Sequence, residues 1–268
     1  MRRKYRMTDI ICGDNYITSR IYPEYLIPKS RQKKSKPTSE VQQKLNEKNR
    51  QEYLAHLAST NFTDRDYYIT LTYNDEYLPE NINEAKHELR KYIKRLQTRT
   101  KKLGLTIKAI GVTGYGSKRK RLHHHIIISG CFMPYEFIEV WKCRDGSSRG
   151  YVDICPLQFD QFGVAIDNLL KYFYKHIEEN KKLGITGSGY YRSRNLAEPE
   201  IKSRSGKLSH KQIEFARTFT DFTVFEQMHP DYALADVITF HNDVNGGYYF
   251  TVRYYKPPRK QRRKQTKR

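Results

Sequence analysis

The stretch Arg121-Leu-His-His-His-Ile-Ile-Ile-Ser129 constrains the fold of this 268-residue chain more than any other. A run of apolar, β-branched residues between a basic segment and a turn reads as a strand covered on both faces, and side chains on a strand alternate. His123 and His125 therefore share one face, while His124 faces the other way with Leu122, Ile126 and Ile128. Two imidazoles at that spacing sit roughly 7 Å apart, within reach of one divalent cation. A stiff apolar strand is also the support that a preorganised ligand set needs. Alone, the His-x-His pair equally fits a basic nucleic-acid-binding strand without metal.

Around this strand the pattern predicts a helix over 38–59, a strand over 67–73 ending at Asn74-Asp75, and an amphipathic helix over 82–103. Ala85, Leu89, Tyr92, Ile93 and Leu96 form the apolar stripe of that second helix, with Gly104 as its C-cap. Strands over 107–113 and 122–129 form an antiparallel hairpin across the basic turn 114–121. Helices over 134–141 and 160–179 follow, then a loop over 181–207, then strands over 221–226, 235–241 and 247–254. Strands and helices mix without regular βαβ alternation, so the expected class is α+β with an antiparallel sheet flanked by helices. The expected organisation is a basic arm and helix over 1–60, one domain with C-terminal strands over 61–255, and a basic disordered tail over 256–268.

The helix predicted over 160–179 carries the second candidate group. At 100° per residue Ile166, Leu169, Leu170, Phe173 and Ile177 make its buried stripe, Tyr172, Lys175 and His176 cluster on one flank, and Tyr174 lies on the opposite flank. A tyrosine hydroxyl near a bound cation and an ammonium group can attack phosphorus, giving a 5′-phosphotyrosyl link and a free 3′-OH. Tyr172 is the candidate nucleophile and Lys175 the candidate stabiliser of charge on phosphate or phenolate. A tyrosine and a lysine on a basic helix are ordinary by themselves; their pairing with the His-x-His strand carries the reading.

Composition points to the partner. Lys and Arg total 50 against 29 Asp and Glu, a formal charge of +21 with a pI near 9.7, and a polyanion such as nucleic acid matches that excess. Lys118, Arg119, Lys120 and Arg121 beside the histidine strand, and Arg192 and Arg194 near Tyr190 and Tyr191, are the candidate contacts to single-stranded DNA, where cations track phosphates and aromatics stack on bases. Cys12, Cys131, Cys143 and Cys155 lack zinc-motif spacing and read as thiols of a reducing compartment. No apolar run approaches the roughly 18 residues of a membrane span, so a cytoplasmic protein without membrane contact is expected. No phosphate-cradling glycine loop appears, so no nucleotide cofactor is expected and strand unwinding falls to another protein.

In order, Ile69-Thr-Leu-Thr-Tyr-Asn-Asp75, Leu122-His-His-His-Ile-Ile-Ile128 and Tyr172-Phe-Tyr-Lys175 resemble the three motifs of HUH-type rolling-circle replication initiators. Asn61-Phe62, the segment 146–153 and Ser193-Arg-Asn-Leu-Ala-Glu-Pro199 are similar to segments of the initiators of small circular DNA phages and their Gram-positive prophage relatives. The resemblance implies a five-stranded antiparallel sheet, with Thr70 and Thr72 on a central strand. It implies Mg²⁺ or Mn²⁺ on His123 and His125, attack by Tyr172 assisted by Lys175, a hairpin-forming single-stranded origin as substrate, and host helicase and polymerase as partners. One position departs: such chains usually carry a glutamate in the strand before the histidines, and here Gly114 stands in its place. A ligand from elsewhere, water and DNA phosphate, or loss of nicking each fit that departure, and Gly114→Glu is expected to tighten metal binding. An origin-binding relative that does not cut, and an HUH relaxase or transposase, are the alternative readings.

Overall fold

A computed structural model describes residues 4–24, 39–116, 120–159, 167–185, 189–206, 208–242 and 246–257, with 167–169 described as backbone only. Along the chain run β1 (Tyr5–Cys12), β2 (Tyr16–Pro23), α1 (Glu40–Asn61), β3 (Tyr67–Leu71), α2 (Ile82–Lys102), β4 (Ala109–Tyr115), β5 (Leu122–Ile128) and α3 (Pro134–Trp141). Then come β6 (Val152–Pro156), α4 (Asp167–Lys182), β7 (Tyr191–Arg192), β8 (Glu200–Ser205), α5 (His210–Phe219), α6 (Thr223–Glu226), β9 (Ala233–Asn242) and β10 (Gly247–Tyr255). The class is α+β, as expected, with two five-stranded antiparallel sheets. The chain divides into two compact units, one from Thr38–Glu198 and one from Met1–Pro37 with Pro199–Arg268. These bounds differ from those expected at 60/61 and 255/256: the C-terminal strands group with the N-terminal segment instead of extending the middle of the chain.

In the Thr38–Glu198 unit the strand order is β6-β3-β5-β4-β7, with the histidine strand β5 at the centre. One face packs Ile69, Leu71, Ile126 and Ile128 against Leu89, Tyr92, Ile93 and Leu96 of α2 and Phe137 and Trp141 of α3. The other packs Ile110, Val112 and Ile127 against Leu54, Leu57 and Ala58 of α1 and Leu170 and Phe173 of α4. Burial of large apolar side chains on both faces accounts for the unbroken isoleucine run. Local signals set the helix ends. Asn81 accepts from the Asn83 and Glu84 amides at the start of α2, and Gly104 (φ +69°) follows its last turn, with the Leu105 amide bonded to the Thr100 carbonyl.

The second unit orders its strands β8-β1-β2-β10-β9 and packs Tyr5, Met7, Ile17, Ile21, Phe250, Val252 and Tyr254 against Ile213 and Ala216 of α5 and Phe225 of α6. The strand expected over 221–226 is instead the helix α6. Asp221 accepts from both the amide and the hydroxyl of Thr223, a local bond that starts a helical turn where β-branched composition alone points to a strand. Sequence patterning also passes over β1 and β2, because Asp9 and Ser19 interrupt their apolar faces; both are fully buried and bonded to each other at 2.5 Å. The segment 181–207, expected as loop, contributes the edge strands β7 and β8. The first part of the helix expected over 160–179 and nearly all of the basic tail lie outside the described residues. Among the described residues no helix is long and apolar enough to cross a membrane, and all four cysteines are free thiols.

Candidate functional site

The register of three strands builds the site. His125 lies opposite Thr70 on β3 and Val112 on β4, and His123 lies opposite Gly114. Strand alternation sends both histidines to the face covered by α4, as the sequence predicts, and His124 to the other face. There His124 is fully buried, its Nε2 2.7 Å from the Tyr73 hydroxyl and its Nδ1 2.8 Å from the Thr113 hydroxyl. Burial holds that ring neutral, its pKa lowered to about 3. His124 is thus a packed, satisfied core residue.

The rings of His123 and His125 turn toward each other, bringing their Nε2 atoms to 3.1 Å. The Nδ1 of His123 sits 3.2 Å from the Arg121 carbonyl, to which it can only donate, so in the neutral ring Nε2 carries the lone pair. The Nδ1 of His125 meets the Thr70 hydroxyl at 3.2 Å, and the His125 ring stacks on Tyr68 at 5.5 Å between centroids. Such partners fix ring orientation in the way that supports a metal ligand. Burial lowers the pKa of both rings, that of His125 to about 3, so each is held in the neutral form that ligates.

A third imidazole completes the group. His176 on α4 is buried, with its centroid 4.9 Å from that of His123 and 5.2 Å from that of His125. The three histidines offer ligand nitrogens that all lie within 4.8 Å of one another. The Nδ1 of His176 stands 3.4 Å from a Glu179 carboxylate oxygen, outside hydrogen-bonding geometry, and so remains a buried polar atom without a hydrogen bond. Burial, followed by the neighbouring His123, lowers its pKa as well. Sequence reasoning sets His176 on the flank of Tyr172 without giving it a role; its spacing of one turn from Tyr172 is the available signal.

Gly114 explains how the ring fits. A Cβ built there would lie 2.2 Å from Nδ1 and 2.5 Å from Cγ of His176, so only glycine leaves room for this imidazole. The strand position where a carboxylate is expected is therefore covered by a histidine from the facing helix. This overturns the expectation that Gly114→Glu would simply add a ligand, since the new side chain would first displace His176.

Tyr172 is largely exposed on the same flank, its ring 6.1 Å from that of His125. Lys175 is half-exposed nearby, with Nζ 4.0 Å from Glu179, and its charge disfavours protonation of His123 and His176. Tyr174 points the other way and donates to the Gln51 carbonyl of α1 at 2.7 Å. Asn180, one turn beyond His176 and buried, donates to the Thr113 carbonyl at 2.8 Å and so ties α4 to β4. Tyr172, His176 and Asn180 form one line along the helix, facing the sheet.

The basic candidates are dispersed. Lys118 and Arg119 lie outside the described residues, and Lys120 is exposed in the β4–β5 turn at φ +47°. Arg121 pairs with Asp75 and donates to the Tyr73 carbonyl at 2.7 Å. Arg192 pairs with Glu198 and the Tyr53 hydroxyl, and Arg194 is exposed. Thr72 lies just past β3 and donates to the Tyr151 carbonyl. Two of the finer motif segments meet as a strap: Asn61 exchanges hydrogen bonds of 2.8 Å with the backbone of Ala197, and Ser193 accepts from the Ala109 amide.

Comparison with known proteins adds an independent line. A model of the replication-associated protein ORF2 family matches residues 66–181, the stretch that runs from β3 into the last turn of α4 and contains every histidine of the cluster and Tyr172. The chain is also 34% identical over 151 residues to the replication-associated protein ORF2 of Spiroplasma virus 4, an alignment covering 52% of this chain and 45% of that protein. The chain thus matches less than half the length of this relative. No solved structure matches.

Proposed function

We propose that the chain is an HUH-type replication initiator that nicks and rejoins single-stranded origin DNA through Tyr172 and so starts rolling-circle replication. The observation that carries this reading is Tyr172 itself, exposed beside the histidine cluster and one helical turn ahead of His176, within the segment similar to replication-associated proteins. The reading brings with it hairpin-forming DNA as substrate, host helicase and polymerase as partners, and the cytoplasm of a bacterial host as the setting.

His123 and His125 would hold Mg²⁺ or Mn²⁺, which when bound polarises a phosphate oxygen and makes phosphorus a better electrophile. The phenolic oxygen of Tyr172 forms the new bond to phosphorus as the bond to the 3′ oxygen breaks. The phenol proton passes to solvent, and the departing oxygen takes up a proton to leave a 3′-OH. Lys175 adds a positive charge where phosphate and phenolate charge develop. Rejoining is the reverse attack by a 3′-OH on the phosphotyrosyl link. The missing carboxylate would favour a relative that binds without cutting, but the third imidazole beside Gly114 weighs against an empty site.

Labelled single-stranded DNA from the chain's own replicon tests the reading, with Mg²⁺, Mn²⁺ or EDTA. A metal-dependent covalent adduct is expected with the native chain and Tyr174→Phe, and none with Tyr172→Phe. Binding with no adduct in any condition would reject the nuclease.

A further inference from the structure

We infer that the metal centre is an all-imidazole site in which His176 is the third ligand, and that Gly114 and His176 together give it a preference for nitrogen-loving transition-metal cations over Mg²⁺. The inference rests on the proposed function only for the use of the metal; the ligand set is argued from geometry.

Two ligands each about 2.1 Å from a common ion lie roughly 3.0–3.4 Å apart at octahedral or tetrahedral angles. The Nε2 atoms of His123 and His125, 3.1 Å apart, already have that spacing. His176 presents a buried imidazole to the same point and has a ring nitrogen with no hydrogen bond, which is costly in a metal-free protein and satisfied on ligation. Among the described residues no carboxylate oxygen joins the cluster. Glu179 contacts His176 from its outer side and is suited to orienting that ring.

The chemistry of three neutral nitrogens follows. Mg²⁺ favours oxygen ligands in a strict octahedron, whereas imidazole affinity rises along the first transition row from Mn²⁺ to Co²⁺ and beyond. Without a ligand carboxylate the bound ion also keeps its full charge for phosphate. Because His176 belongs to the helix that carries Tyr172, ligation would also fasten that helix to β4 and β5, fixing the tyrosine one turn away.

Calorimetric titration of the full chain, without DNA, with Mg²⁺, Mn²⁺ and Co²⁺ tests this, the Co²⁺ arm followed also by its visible ligand-field bands. Affinity should rise in the order Mg²⁺, Mn²⁺, Co²⁺. His176→Ala should weaken Co²⁺ binding about tenfold or more and change the bands. Gly114→Ala should do likewise by pushing the ring aside. In the double variant Gly114→Glu with His176→Ala, a carboxylate can enter the vacated space, and the preference should move toward Mg²⁺; urea unfolding of each metal-free variant verifies that it folds. Equal affinity for Mg²⁺ and Co²⁺, or unchanged Co²⁺ binding in His176→Ala, would overturn the inference. Adduct formation with those results would leave the nuclease intact, while His176-dependent Co²⁺ binding in a chain that never forms an adduct would leave the metal site and remove the nuclease.

Discussion

Three successive histidines show how strand parity divides chemistry from packing. His124 is bonded at both nitrogens inside the core, so His124→Ala should leave a cavity and two unpaired hydroxyls. A loss of about 2–4 kcal/mol in urea unfolding is expected, while His125→Ala should cost less stability and remove metal binding. Asp9 in the other unit makes the case for pH. Burial pushes its carboxyl up, but hydrogen bonds from His229 and Ser19 and the charges of His229 and Arg204 outweigh this and hold it below the usual 3.8. Its contribution to stability is then complete above about pH 4 and lost as pH falls through the lowered value. Thermal unfolding followed from pH 6 to 2 should show that acid loss, and Asp9→Asn should flatten it.

The element that matters most is α4, because it brings Tyr172 and His176 to a sheet built by other segments. Asn180 fastens it through the Thr113 carbonyl, so Asn180→Ala should leave that carbonyl unpaired and cost about 1–3 kcal/mol. Amide exchange should quicken along α4, and adduct formation should fall although no group contacting DNA has been removed. The amphipathic pattern gives the flank of Tyr172 and His176 in advance, and β5 is equally plain from its alternation. Elements whose faces mix polar and apolar residues are harder: β1 and β2 carry Asp9 and Ser19 inward, and α6 forms on an Asp221 turn within a β-branched stretch.

For the whole molecule, each unit has its own sheet and its own apolar core, and the chain enters and leaves the middle one at 38 and 198. A fragment spanning 38–198 should therefore unfold cooperatively and keep Co²⁺ binding, checked by calorimetry. The eight Lys and Arg residues from Lys256 to Arg268 should act through phosphate charge, so deleting them should flatten the dependence of log affinity for single-stranded DNA on log salt. What the sequence determined by itself is the class of fold, the facing of His123 and His125, the flank of Tyr172 and the polyanionic partner, because period and charge are local properties. What only the tertiary structure decided is the third ligand. His176 joins the other two only because β4 runs beside β5 and α4 crosses it where Gly114 has no side chain, a coincidence of three segments that no local pattern encodes.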